Sequence, residues 1–265
     1  MRSLVTPGSQ GEQVGRLILA GVVVLALPAM PYGTYLIYPF VILTTWFHEM
    51  GHGLTALAMG QDFQRLMIYP NGSGVAESLV HPDASPLTLA AIAAGGPLAP
   101  SLAGAGLILA SAHERLWRPT LWAVSAAIFA SVIIYVRSPV GYSVLPLVAA
   151  CLALVAWRAP AGFARFMLQF LGVLAAMSML RDFDYLFTER AVIGGQAILS
   201  DTGQIEAALV LPHWVWAALI ILLSAIMIGA SLKYALSEKR LRRRPAKLPA
   251  NVLQFKRGPS DKTRR

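Results

Sequence analysis

Charge is scarce in this chain. Only 13% of its 265 residues are Asp, Glu, Lys or Arg, where a soluble domain carries about 25%. So few charges cannot cover a water-exposed surface, which excludes an ordinary soluble globular protein. Cysteine is scarcer still. Cys151 is the only one and lies in an apolar run, so an internal disulfide and a cysteine-based zinc ribbon are both excluded. What the chain has in quantity is apolar: 56% of residues are hydrophobic and the mean hydropathy is +0.60. The class these numbers define is an all-α polytopic membrane protein.

The net charge of +9 is unevenly placed. Residues 233–265 hold 12 Lys/Arg against 2 Asp/Glu, and the other 232 residues hold 10 against 11. The body is therefore close to neutral and the tail carries the basicity. A basic run directly after an apolar segment anchors on the cytoplasmic side and meets anionic lipid headgroups, so no nucleic-acid partner is expected. Residues 1–16 form a short N-terminal segment, 17–236 the membrane domain, and 237–265 a basic cytoplasmic tail expected to be disordered. PAMPYG is a poor cleavage site after the first apolar run, which is read as a retained span.

Crossing a hydrocarbon core of about 30 Å takes roughly 20 apolar residues in a helix. Runs of this kind fall near 17–36, 39–60, 86–111, 119–136, 140–157, 163–187 and 213–236. They predict six to seven transmembrane helices, with the fourth and fifth joined as a tight hairpin. Seven alternating spans would put the termini on opposite faces, the N-terminus outside. Trp117, Trp157, Trp214 and Trp216 fall at run ends, where an interfacial belt is expected. Between the second and third runs, DFQRLMIYPNGSGVAESLV (62–80) has two β-type stretches around Asn-Gly, which predicts a short β-hairpin. TERAVIGGQAILSDTGQIEAALVLP (188–212) reads as a polar-to-mixed loop.

Within the second run stands HEMGH. His48 and His52 are four apart, so on a helix they point only about 40° from one another and can share one cation. Neutral imidazoles suit zinc. Glu49 sits further round the helix, close enough to reach a water beside the metal and take its proton. At this chain's His and Glu content, a chance HExxH is expected on the order of 0.002 times. Each ionisable group within a bilayer costs a few kcal/mol, and zinc binding can return on the order of 10 kcal/mol. A catalytic zinc takes three protein ligands, and the third must come from elsewhere in the chain. The C-terminal ends of the second and sixth runs lie on one side. Asp182 is the first choice on depth, and Asp201, in a loop able to fold back over the site, is the alternative.

These residues resemble the site-2 protease family of intramembrane zinc metallopeptidases. The likeness is strongest to the compact bacterial "peptidase B-like" branch, which has no PDZ domain. The matching stretches are HEMGHGLTALAMG, IYPNGSGVAES and AAIAAGGPLAPSLAG, with weaker support from DFDYLF and SDTG; together they cover residues 40–216. The resemblance implies Zn2+ held by His48 and His52, with Glu49 as the base. It also implies an integral protein of the bacterial inner membrane, acting on membrane proteins or peptides. Pro100 stands where the family's Gly-Pro element ends in Asn, and the family's late N-P-D-G or L-D-G motif is absent.

Gly72 and Gly74 of the hairpin, and Gly96 and Pro97 of the small-residue span, are the candidate substrate-binding positions. A substrate segment would pair with the hairpin's edge, while Gly96 and Pro97 would open their helix beside the site. The function these features predict is hydrolysis of peptide bonds in membrane-embedded or membrane-proximal segments by a zinc-activated water. A non-catalytic zinc protein that binds clients and a transporter are the alternatives.

Overall fold

Proline, glycine and short polar caps cut the apolar chain into nine helices and two β-hairpins among the described residues, 10–237, of a computed structural model. The helices are α1 (Gln10–Ala26), α2 (Gly33–Ala58), α3 (Pro86–Ser111), α4 (Trp117–Ile134), α5 (Pro139–Arg158), α6 (Ala161–Arg181), α7 (Phe183–Leu186), α8 (Asp201–Ala208) and α9 (His213–Ala235). Strands β1 (Asp62–Ile68) and β2 (Gly74–Leu79) follow α2; β3 (Arg190–Ile193) and β4 (Gln196–Leu199) follow α7. The basic tail beyond 237 and the first nine residues lie outside the described range. Six helical segments are long and apolar enough to cross a membrane. Among the described residues α2 is the long helix not counted with them; it carries His48, Glu49 and His52. The chain is thus an all-α polytopic membrane protein with a short hairpin after the HExxH helix, as its composition predicts.

Local chemistry sets the boundaries. Pro86 and Pro139 start α3 and α5, where a missing N–H costs nothing. Ser85 and Ser138 cap them, accepting from Thr88 N and Gly141 N. Gly60, in the left-handed region (φ 74°), ends α2 and turns the chain into β1. The β1–β2 pair is antiparallel, with Leu66 opposite Ala76 and Ile68 opposite Gly74. The outer edge of β1 is covered: Leu66 N–H donates to Tyr135 O, Arg137 N–H donates to Leu66 O, and Ile68 N–H donates to Ser138 Oγ. The short α4–α5 connection therefore closes one side of the hairpin and leaves β2 as its open edge.

Three sequence expectations change. Residues 188–212 contain a second hairpin and the helix α8. Gly194-Gly195, both at positive φ, make the two-residue turn that this backbone demands, and Ser200 caps α8 by accepting from Gly203 N. Trp117 is buried, with its indole N–H donating to Ser111 O, so it is a packing residue rather than part of a belt. Helix α3 stays helical through Pro97 and Pro100; each proline removes one backbone donor without opening the helix.

The senses of the helices also differ from strict alternation. Arg16, early in α1, donates to Gly162 O at the start of α6. Val24 and Pro28 meet Leu174 and Ser178 around one apolar cavity further along. Helix α1 therefore runs parallel to α6. Helix α3 runs antiparallel to α6, since Gly104 approaches Ala176 and Ile108 approaches Gly172. It is also antiparallel to α2, since Gly51 approaches Ala99 and Thr55 approaches Gly95. Consecutive helices α1 and α2 thus share one sense. Helix α9 follows α3, with Ala90 clustering with Ala217 near their starts and the His113 and Tyr234 rings 6.2 Å apart near their ends. The start of α1 and the end of α9 consequently lie on the same face, not on opposite faces as seven alternating spans require.

Candidate active site and metal centre

Gly51 and Gly95 let α2 and α3 cross closely, because a Cβ on either would overlap the other's backbone. That crossing sets His52 against α3. The His52 Nδ1 lies 2.8 Å from Ile92 O. A carbonyl only accepts, so Nδ1 carries the proton and the Nε2 lone pair points the other way. Gly96 backs the same ring: a Cβ there would fall inside the imidazole.

Asp201 arrives from the opposite wall. Ser200 holds the base of the second hairpin, its N–H donating to Glu189 O and its hydroxyl donating to Thr188 O. The Asp201 N–H donates to the Tyr185 hydroxyl at 3.2 Å. Behind them Leu186 and Ile205 pack with Ala90, Ala93, Ala217 and Ile220, a cluster that seats α8 on α3 and α9. The buried Asp201 carboxylate then lies 3.0 Å from His48 Nε2 and 3.2 Å from His52 Nε2. Three ligand atoms, all within 4.8 Å of one another, are gathered at one point. Tetrahedral ligands about 2.1 Å from one zinc lie about 3.4 Å apart, so two neutral imidazole nitrogens and a carboxylate at these separations fit a single divalent cation.

Neither α7 nor α8 is among the six candidate spans. Burial opposes ionisation of Asp201, but His52 and His48, when protonated, outweigh it by charge and hydrogen bonding and hold the carboxyl below the usual carboxylate range. Burial, then the negative charges of Asp201 and Glu49, push the Tyr185 phenol far above its ordinary value, so it stays a neutral hydroxyl.

A cavity of about 300 Å³ opens onto this centre. Glu49, Gly72, Gly74, Asp182, Tyr185 and Asp201 are in its lining. Glu49 is buried, accepts from the Ala76 N–H of β2, and packs so closely on Gly74 that a Cβ there would strike its side chain. Of the two carboxylates proposed for the third position, Asp201 joins the histidines, while Asp182, the C-cap of α6, forms part of the cavity wall. Gly96 and Pro97 are buried in α3 and are not part of that lining; Gly96 acts on His52 instead.

A model of the Peptidase M50B-like family matches residues 17–231. The chain belongs to this family. No curated protein and no solved structure matches it. Membership makes the chain a multi-pass, site-2 protease-like member of the metallopeptidases, and the His48–His52–Asp201 cluster is the metal-capable group of this M50B-like protein among its described residues. Tyr185 and the Ile92 carbonyl were not legible as site groups in the sequence. Tyr185 sits within DFDYLF, but its link to Asp201, sixteen residues on, depends on the hairpin between them.

Proposed function

We propose that this protein is an intramembrane zinc metalloendopeptidase acting on membrane-embedded or membrane-proximal segments. His48 Nε2, His52 Nε2 and the Asp201 carboxylate would hold Zn2+. Bound there, zinc supplies Lewis acidity that lowers the pKa of a coordinated water and polarises a peptide carbonyl. The observation that carries the reading is the placement of Glu49, beside the two imidazoles and against the open edge of β2. Ala76 N–H orients the Glu49 carboxylate, which takes the proton of the attacking water and passes it to the leaving amine. An extended substrate segment pairs with β2, whose remaining outward groups are those of Gly74 and Ser78 and the Ala76 carbonyl, by the alternation of an antiparallel ladder. A client carrier that does not cleave, or a transporter, leaves the position of Glu49 without a role.

The sense of the helices supports an orientation. Arg16, Arg115, Arg118, Arg158 and Arg165 lie toward the face where α9 ends and the basic tail begins, whereas Arg65, Arg137 and Arg190 lie toward the other. The positive-inside rule then places both ends in the cytoplasm of a bacterial inner membrane, with the tail against anionic headgroups and the cleft nearer the outer face. Glu49→Gln tests the chemistry. It should keep one zinc per chain and lower peptide cleavage by at least about 100-fold. Cleavage at the wild-type rate would remove Glu49 as the base.

A further inference from the structure

The second hairpin supplies none of the three clustered ligand atoms, yet two of its side chains line the cavity. Its base is tied to the centre through Ser200, Asp201 and Tyr185. Its tip rests on the first hairpin: a Cβ at Gly194 would strike the Tyr69 ring. The β3–β4 register sets Ala191 opposite Ile198 and Ile193 opposite Gln196. By the two-residue alternation, Ala191, Ile193, Gln196 and Ile198 share one face. Ile193 and Ile198 line the cavity, whereas Val192 on the other face is 72% exposed. The ribbon thus forms a roof whose two cavity-lining side chains, Ile193 and Ile198, are apolar, in a cavity that Gly74, Ala76 and Ser78 of β2 also line.

We propose that Ile193 and Ile198 form a side-chain subsite that selects a branched aliphatic residue next to the cleaved bond of an extended peptide. Cleavage beside this subsite rests on the protease reading; binding at it does not. A strand paired with β2 has its backbone satisfied by that edge, which is indifferent to sequence. Selectivity must come from where alternate side chains land. A side chain turned toward the roof meets two isoleucines, and a hydrophobic pocket of this kind discriminates by about 10- to 200-fold per side-chain size step.

The experiment uses the full chain with zinc bound and a peptide series carrying Ala, Leu, Phe or Asp at one position after another along an otherwise constant sequence. Cleavage is read as kcat/KM in the wild type, and binding as Kd in the Glu49→Gln background. At one position Leu should exceed Ala and Asp by about tenfold or more. Ile198→Ala, which enlarges the subsite, should shift preference toward Phe. Ile193→Phe, which fills it, should erase the advantage of Leu at that same position. Zinc stoichiometry in both variants reports an intact fold. If preference at every position ignores both substitutions while zinc stays bound, the subsite is overturned. If nothing is cleaved but the Kd values follow the predicted pattern, the subsite stands and the protease reading fails.

Discussion

At the residue scale, His52 is held from behind by two groups on one helix turn: the Ile92 carbonyl, which sets its tautomer, and Gly96, which leaves room for its ring. Such outer contacts commonly change metal affinity 10- to 100-fold. Gly96→Ala should therefore weaken zinc binding by about tenfold or more, measured by competition with a chromogenic chelator. Gly106→Ala is the matched control, since a Cβ there meets nothing within 4 Å. Equal zinc affinity in the two variants would show that the ring does not depend on the glycine behind it. The HExxH spacing is visible in the sequence because helix periodicity alone brings i and i+4 together. The sequence narrows the third carboxylate to Asp182 or Asp201 but does not choose between them, because the approach of Asp201 to the histidines depends on a hairpin and a cap far along the chain.

At the scale of elements, α8 is short and has little apolar surface, so its ends matter. Ser200 fixes its start. At its far end the Glu206 carboxylate accepts from the His213 backbone N–H at 2.7 Å and lies 2.7 Å from His213 Nδ1. The backbone bond is the main reason the Glu206 carboxyl is held below its ordinary value of 4.5. A depressed carboxylate contributes stability that is full above the unfolded value and is lost as pH falls through the folded one. The wild type should therefore lose thermal stability on acidification below pH 4.5 more steeply than Glu206→Gln, which keeps an acceptor but no titrating charge. Parallel melting curves for the two proteins across that range would refute the link. The first hairpin was legible because Asn-Gly lies between two β-type stretches. The second was not, although Gly-Gly stood in the same kind of place, because its strands are only four residues each and its flanks are mixed in polarity.

For the whole molecule, the parallel run of α1 and α2 decides which faces the ends and the cleft occupy. Reporter fusions at both termini should report the same compartment. In a Cys151→Ser background, Asn71→Cys in the β1–β2 turn should react with a membrane-impermeant thiol reagent added from the outside. Termini reporting opposite compartments would restore strict alternation. Local sequence cannot reveal this arrangement, because a broken pair of helices and a hairpin of two spans present the same hydropathy. The hydrogen bond of Arg16 to Gly162 O, and the cavity that Val24 shares with the end of α6, tell them apart.

The sequence by itself determined the class, the number of apolar spans to within one, the first hairpin and the paired imidazoles with their neighbouring glutamate. All of these follow from composition or from periodicities of a few residues. Tertiary structure decided the rest: Asp201 rather than Asp182 beside the histidines, Gly96 against the His52 ring and outside the cavity lining, the roof over the cavity, and the shared face of the two ends. Each of these depends on which distant segments pack together, and that is governed by close approach of small residues and by caps whose partners lie far away in the chain.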